Sequence, residues 1–309
     1  MVDKVEKIWM DGEFVPWDNA KVHLLTHTLH YGVGAFEGIR AYKRRDGASV
    51  VFRLREHIER LFDSCHLMQL EIPFSRETIV AACLQTIAEN GLAEGYLRPL
   101  VYIGPGRMGL FAVDNPIHVA VAAWRWGAYL GDDGLAQGIR ARISSFMRHS
   151  ATSTLSKGKI CGHYVNSILA KREAMKDGYH EAVMLDQDGF VSEASGENIF
   201  IVKNGEVKTP PYGSTILGGI TRDSVMELLS EIGLPIREAR FCREEMYLAD
   251  EVFFTGTAAE ITPVREIDNR QIGKGEPGPV TKQIQERYFD IVRGEATDHM
   301  EWLTRYEPM

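Results

Sequence analysis

The stretch AVMLDQDGFVSEASGENIFIVKNGEV, residues 182–207, contains two successive strand–turn–strand patterns. The first turn is predicted at Asp186-Gln-Asp-Gly189, and the Asn204-Gly205 pair is the turn signal of the second hairpin. Hairpins join antiparallel strands, so this stretch argues against an all-parallel sheet. Helical patterns occur in both halves of the chain. The sequence therefore predicts an α/β fold of the mixed α+β kind, with helices flanking mixed sheets.

The remaining elements follow from apolar spacing and from turn residues. Apolar residues recur at helical spacing in four segments, which predicts helices over residues 55–70, 77–90, 159–176 and 221–232. Four glycines fall within residues 127–138, which predicts an interdomain linker. We expect a smaller N-terminal α/β domain over residues 1–126 and a larger C-terminal domain over residues 139–309.

Composition excludes several classes of function. The chain has 309 residues, with 43 acidic and 35 basic side chains and a net charge of −8, which argues against a nucleic-acid binder. Its four cysteines are far apart, so we expect neither a disulfide framework nor a metal site, and a reducing compartment. No apolar run reaches the roughly 20 residues that span a bilayer. Since the N-terminus also lacks the apolar core of a secretory signal, we expect a cytoplasmic protein without membrane contact.

One glycine motif resembles a nucleotide site without its context. Gly104-Pro-Gly-Arg-Met-Gly109 matches G-x-G-x-x-G, but a dinucleotide site needs a helix that opens at the third glycine. The following residues are strand-like and stop at Pro116, so we expect a glycine-rich loop between two strands.

Chemistry-bearing residue types concentrate in seven segments. These segments are YGVGAFEGIR (31–40), REHIER (55–60), YLRPL (96–100), KGKICGHY (157–164), VSEASGEN (191–198), LGGITRD (217–223) and FTGTAAE (254–260). The glycine pair before the predicted helix at residue 221 favours anion binding by free backbone N–H groups. A half-buried lysine beside another cation favours the neutral, nucleophilic amine. Lys157 and Lys159 both meet that description, and spacing alone does not choose between them.

In this combination and order, the chain resembles the fold-type IV pyridoxal-phosphate enzymes, and among them the branched-chain amino-acid aminotransferases. The resemblance runs from about Ile8 to Thr281. It implies a two-domain enzyme that holds pyridoxal 5'-phosphate at the domain interface. It further implies reversible transfer of the amino group from Leu, Ile or Val to 2-oxoglutarate, which gives branched-chain 2-oxo acids and L-glutamate. The partners implied are small-molecule amino acids and 2-oxo acids, and the assembly implied is a homodimer or larger homo-oligomer.

The resemblance also assigns the cofactor residues. The family pattern places the catalytic lysine five residues before a tyrosine, which selects Lys159 with Tyr164. Glu193 matches the acid at the pyridine nitrogen, while Glu197 is expected to support the following strand. The full set of cofactor-binding residues implied is Arg60, Lys159, Tyr164, Glu193, Leu217, Gly219, Ile220, Thr221 and Thr257.

The substrate pocket implied by the resemblance is aromatic, with a few carboxylate-binding groups. Its residues are Tyr31, Phe36, Gly38, Arg40, Tyr96, Arg98, Trp126, Tyr129, Thr257 and Ala258. Arg98 matches the group that binds the second carboxylate of glutamate, whereas Trp124 is expected to be a core residue. The segment Met108–Val113 departs from the glycine-rich loop of many members, a loop that in this family can reach the neighbouring subunit's site.

Two other hypotheses remain open at this stage. The chain could be another fold-type IV enzyme: a D-amino-acid transaminase, an amine transaminase or an aminodeoxychorismate lyase. Tyr31-x4-Phe36-x-Gly38 together with Tyr96-x-Arg98 favours the branched-chain class. A non-catalytic binding protein on the same fold is the third hypothesis, and intact Lys159, Glu193 and Thr257 argue against it.

Overall fold

The computed structural model describes residues 2–127 and 130–309, and the chain divides into two compact units. Unit 1 comprises residues 1–127, 158–163 and 290–309, and unit 2 comprises residues 128–157 and 164–289. In the described part of the chain, no helix has both the length and the apolar character needed to cross a bilayer.

Unit 1 is built on one antiparallel sheet of eight strands. Its elements are β1 (Lys7–Met10), β2 (Glu13–Pro16), α1 (His27–Tyr31), β3 (Gly34–Phe36), β4 (Ile39–Lys43), β5 (Ser49–Phe52), α2 (Leu54–Leu67), α3 (Arg76–Glu89), β6 (Gly95–Ile103), β7 (Ile117–Trp124) and, near the C-terminus, β17 (Leu303–Tyr306). The strand order is β17-β5-β4-β6-β7-β1-β2, with β3 paired to β6. Apolar residues of α2 and α3 share one core with the sheet, because both helices have an apolar stripe at helical spacing.

Unit 2 is built on a mixed sheet of nine strands. Its elements are α4 (Asp132–Gln137), β8 (Ile139–Ile143), α5 (Tyr164–Lys176), β9 (Glu181–Leu185), β10 (Val191–Ala194), β11 (Asn198–Lys203), β12 (Glu206–Thr209), α6 (Ile220–Glu231), β13 (Ile236–Glu238), α7 (Arg243–Tyr247), β14 (Glu251–Gly256), β15 (Glu260–Ile267), β16 (Arg270–Gln271) and α8 (Pro279–Arg293). The order is β10-β9-β8-β15-β14-β11-β12-β13, with β16 paired to β15. Strand β8 runs parallel to both of its neighbours, whereas β9–β10 and β11–β12 are the two antiparallel hairpins predicted for residues 182–207. The predicted mixed fold is confirmed.

The structure differs from the sequence prediction around Lys159. The predicted helix 159–176 begins only at Tyr164, and residues 161–163 form a short 3-10 turn. The predicted start was wrong because Lys159 and Ile160 are extended: Ile160 bridges Ala35, and the Phe36 N–H donates to the Lys159 carbonyl over 3.2 Å. Residues 158–163 therefore pack with unit 1.

The division of the chain also differs from a simple split at the predicted linker. Helix α4 occupies residues 132–137 of that segment. The C-terminal residues 290–309 belong to unit 1, because β17 completes its sheet by antiparallel pairing with β5.

Candidate active site

Lys159 is held by its backbone in unit 1. Its N–H donates to Ser64 Oγ over 2.9 Å, and its carbonyl accepts the Phe36 N–H, so α2 and β3 fix the residue from two sides. The side chain is half-buried, with Nζ 5.2 Å from the centroid of the Phe36 ring. The atom of a lysine that attacks a carbonyl, Nζ, therefore lies beside an aromatic ring here.

A buried charge cluster lies beside this lysine. Glu37 is fully buried and accepts two hydrogen bonds from Arg60, from Nε over 2.7 Å and from Nη2 over 2.8 Å. His57 Nδ1, also fully buried, lies 2.7 Å from Glu37 Oε2. Burial alone would raise the pKa of Glu37, but Arg60 and His57 outweigh it and hold that pKa well below its ordinary value. Burial lowers the pKa of His57, so a neutral imidazole donates from Nδ1 to an ionised Glu37 that clamps Arg60.

The predicted substrate residues of unit 1 form an aromatic wall around one guanidinium. The Arg98 guanidinium carbon lies 4.6 Å from the Phe36 ring centroid, 5.6 Å from that of Tyr96 and 5.7 Å from that of Trp124. The Trp126 ring packs edge-on against Tyr96 at 4.3 Å. Such stacking keeps a planar, permanently charged donor among apolar surfaces. Trp124, expected to be only a core residue, contributes to this wall.

Gly38, Arg40 and Tyr31 have specific local roles in unit 1. A Cβ at Gly38 would overlap the Tyr96 hydroxyl, so the glycine leaves room for that side chain. Arg40 Nη2 donates to the Gly127 carbonyl over 2.9 Å. Tyr31 ends α1, and its hydroxyl accepts the Gly109 N–H over 3.2 Å, which ties α1 to the glycine-rich loop between β6 and β7.

Glu193 is the centre of the site in unit 2. It lies on β10, is almost fully buried, and its Oε1 is 2.7 Å from Arg148 Nη2. Its Oε2 accepts the Leu217 N–H over 3.0 Å and the Asn198 amide over 3.2 Å. The Glu193 carboxylate is thus held by a guanidinium, a backbone N–H and a side-chain amide.

The start of α6 forms an anion cradle next to this acid. Gly219 is the residue before the helix and, having no side chain, it leaves the N–H groups of the first turn without a side-chain cap. A Cβ at Gly219 would overlap Asn198 Oδ1, so only glycine allows this approach. The Asn198 amide also donates to the Leu217 carbonyl over 2.9 Å. One asparagine thus connects the acid to a helix N-terminus that can bind a phosphate.

The two candidate lysines have different surroundings. Lys157 Nζ donates to the carbonyls of Tyr212, Ser214 (2.8 Å) and Ile216 (3.0 Å). An ammonium group has three N–H donors, so these bonds engage all of them. Lys159 has an aromatic ring beside its amine instead.

The remaining predicted residues take simple positions. Tyr164 is the first residue of α5, Ile220 and the buried Thr221 open α6, and half-buried Thr257 and Ala258 directly follow β14. Tyr129 lies outside the described residues.

A family model described as Amino-transferase class IV matches residues 34–267. The chain belongs to the amino-transferase class IV family. The resemblance predicted from the sequence is confirmed by relatives named branched-chain-amino-acid aminotransferase. The one from Pseudomonas aeruginosa is 50% identical over 304 residues, covering 98% of both chains, and the one from Escherichia coli K12 is 46% identical over 305 residues, covering 97% of both.

Solved structures of aminotransferases agree with the fold. The Escherichia coli branched-chain amino acid aminotransferase superposes with a TM-score of 0.95 at 45% identity, covering 97% of this chain and 99% of that one. A T.th. branched-chain amino acid aminotransferase complexed with N-(5'-phosphopyridoxyl)-L-glutamate has a TM-score of 0.93 at 44% identity, covering 98% of this chain and 99% of that one.

Four residues that contact predicted site residues, His57 by way of Glu37, were not assigned from the sequence: Glu37 and His57 in unit 1, and Arg148 and Asn198 in unit 2. A sequence signal existed for His57, which stands three residues before Arg60 on one face of α2; in the structure both side chains contact Glu37. Arg148 lies in a loop, and nothing in its local sequence indicates that it contacts Glu193.

Proposed function

We propose that this aminotransferase transfers the amino group of the branched-chain amino acids L-leucine, L-isoleucine and L-valine to 2-oxoglutarate, with pyridoxal 5'-phosphate as its cofactor. One observation carries the proposal: the Lys159 amine and the Arg98 guanidinium lie beside the same Phe36 ring, at 5.2 and 4.6 Å. The reactive amine thus has both an apolar surface and a carboxylate-binding cation beside it. A site that alternates between a branched aliphatic side chain and a glutamate carboxylate needs both.

The residues of each unit fit the cofactor. A glycine-opened helix without a side-chain cap suits a phosphate, and a buried, guanidinium-paired Glu193 suits a protonated ring nitrogen. Arg60, clamped by Glu37, supplies a second phosphate donor in this proposal. When bound, the cofactor supplies an aldehyde for the amino group and a ring that accepts the electron pair of the broken Cα–H bond.

The chain's own residues divide the remaining work. Lys159 Nζ would hold the cofactor through its aldehyde and, once the substrate amine has taken its place, would carry the proton from the substrate Cα to the aldehyde carbon of the cofactor. Glu193 would face the ring nitrogen and keep it protonated, Tyr164 would donate to the ring oxygen, and Leu217 would pack on the ring. The backbone N–H groups of Gly219, Ile220 and Thr221, with the Thr257 hydroxyl, bind the phosphate. Lys159 and Glu193 belong to different units, so their action on one cofactor is part of the proposal.

The substrate contacts follow the same division. Arg98 binds the second carboxylate of glutamate and 2-oxoglutarate, assisted by Tyr96, while the backbone at Thr257 and Ala258 binds the α-carboxylate. The aliphatic side chain lies against aromatic residues of the predicted pocket, which are Tyr31, Phe36, Trp126 and Tyr129. Gly38 and Arg40 shape this pocket through Tyr96 and the Gly127 carbonyl.

We also propose a homodimer or larger homo-oligomer. Leu110 and Phe111, in the loop between β6 and β7, are 94% and 83% exposed, and neighbouring exposed apolar side chains on one loop are typical of a protein interface. Sedimentation of the purified chain measures this directly, and a monomer would contradict it.

A cytoplasmic location is proposed because all four cysteines are free, which suits a reducing compartment.

The substrate class is tested by single half-reactions. The purified holoenzyme is mixed with L-leucine, D-alanine or an aryl-alkyl amine, and the loss of the visible absorbance of the lysine-bound cofactor is recorded. We expect L-leucine to discharge the absorbance fastest. Faster reaction with D-alanine or the amine would reassign the chain to another member of the fold, and a protein that never binds the cofactor would revive the non-catalytic hypothesis.

The choice of lysine is tested by two alanine variants. Lys159→Ala should lose the visible absorbance, whereas Lys157→Ala should retain it at saturating cofactor. The opposite pattern would show that Lys157 bonds to the cofactor.

A further inference from the structure

The Lys157 ammonium group donates to three main-chain carbonyl oxygens, and the proposed chemistry gives this lysine no role. The three carbonyls belong to alternate residues, 212, 214 and 216, of the loop between β12 and α6. A cation that binds three carbonyls of one short loop restrains that loop far more than a single hydrogen bond would, since charged donors form the stronger bonds.

The loop leads directly into the proposed phosphate cradle. Ile216 is followed by Leu217, whose N–H donates to Glu193, and then by the glycines before α6. Tyr212 connects the two ends: Lys157 Nζ lies 4.3 Å from its ring centroid, and its Cε2 is 2.8 Å from where a Cβ at Gly218 would lie. Lys157 therefore contacts both the start of the loop and a ring that packs on the cradle.

The start of the loop also contacts side chains other than Lys157. The Tyr212 N–H donates to Glu238 Oε2 over 2.6 Å, and Glu238 lies 3.3 Å from Arg222 Nη2 on α6. Arg222 is buried and also donates to the Pro210 carbonyl over 2.9 Å. Arg222, on α6, thus restrains the start of the loop at residues 210 and 212. Lys157 restrains the following part of the loop, at residues 214 and 216.

We propose that Lys157 is a positioning residue for the cofactor phosphate: by binding the carbonyls of residues 212, 214 and 216 it sets the position of the Leu217–Gly219 segment and of the N–H groups that follow. This inference rests on the proposed function. It predicts a larger effect on the phosphate than on the ring, because Glu193, although it also accepts the Leu217 N–H, is held by Arg148 and Asn198 as well.

The test compares pyridoxal phosphate with pyridoxal, which lacks the phosphate. Lys157→Met keeps the aliphatic stem and removes the three donors, and Lys274→Met, an exposed lysine in a turn, is the matched control. Dissociation constants for both ligands are measured from the visible absorbance of the lysine-bound form. We expect Lys157→Met to weaken pyridoxal phosphate roughly tenfold or more, which corresponds to the loss of one or two charged hydrogen bonds, and pyridoxal less than about threefold. The control should change neither value.

Each other result has a definite meaning. Equal weakening of both ligands would assign Lys157 a general structural role and overturn the inference, and so would unchanged binding of both. If the unsubstituted protein binds neither ligand, the proposed function itself fails. If Lys157→Met does not fold, Lys157→Arg supplies the comparison: a planar guanidinium cannot direct three donors to the same three carbonyls, so a selective loss of phosphate affinity is again expected, and its absence would overturn the inference.

Discussion

Replacing Glu37 by glutamine tests the clamp on Arg60. The Glu37 side chain is fully buried and that of Arg60 is 13% exposed, so the substitution leaves a guanidinium in a poorly solvated place without its counter-charge. Removing one partner of a buried ion pair costs about 3–5 kcal/mol. Glutamine keeps the shape and one acceptor oxygen, so we expect about 3 kcal/mol for Glu37→Gln. The matched control is Glu59→Gln, because Glu59 and Arg76 form a pair 2.6 Å apart whose side chains are 56% and 46% exposed, worth less than about 1 kcal/mol.

The assay is urea unfolding of the cofactor-free protein, followed by tryptophan fluorescence. All five tryptophans lie in unit 1, at positions 9, 17, 124, 126 and 302, so the signal reports the unit that contains Glu37. Omitting the cofactor removes the stabilisation that ligand binding adds. Equal midpoints for the two glutamine variants would refute the reasoning, because a buried and an exposed pair would then contribute alike.

Three further predictions concern other parts of the site. Gly219→Ala should weaken pyridoxal phosphate binding about tenfold or more, because a Cβ there displaces the Asn198 amide, which makes two hydrogen bonds. The control Gly213→Ala, whose Cβ would meet no atom within 4 Å, should leave the binding constant unchanged. Equal binding constants for the two variants would contradict this prediction. Burial and the nearby Glu181 raise the pKa of Glu197 from 4.5 to about 8, so the melting temperature should fall as the pH rises through that interval. Glu197→Gln should make the melting temperature less dependent on pH, and parallel profiles for the variant and the unsubstituted chain would contradict the shift. Arg98→Lys should raise the KM for 2-oxoglutarate about tenfold more than that for a branched-chain 2-oxo acid, because lysine cannot form the bidentate contact, and equal changes in steady-state assays would contradict it.

The sequence predicts those features of the site that depend on neighbouring residues. The turn residues of the segment 182–207 place two hairpins correctly, and the glycine pair before α6 locates the helix start to within one residue. Both features arise from local backbone conformation, which short sequence patterns specify.

Features that depend on distant contacts were not accessible from local patterns. Lys159 looks helical in sequence, yet it is extended because it pairs with Phe36, more than 120 residues away. Arg60 falls on the polar face of α2, where periodicity indicates exposure, but the fully buried Glu37 supplies its counter-charge. Hydrophobic periodicity shows which positions are polar, and it does not show which polar positions find a buried partner.

The central claim is that Lys159 carries an amino transfer from L-leucine to 2-oxoglutarate. The most direct measurement is the rate of L-glutamate formation from these two substrates at saturating cofactor, for the unsubstituted chain, Lys159→Ala and the Lys274→Met control. We expect steady glutamate formation by the unsubstituted chain and the control, and a rate lower by about a hundredfold or more for Lys159→Ala, since the proton transfer at Cα loses its base. Glutamate formation by Lys159→Ala at a rate close to that of the unsubstituted chain would contradict the account.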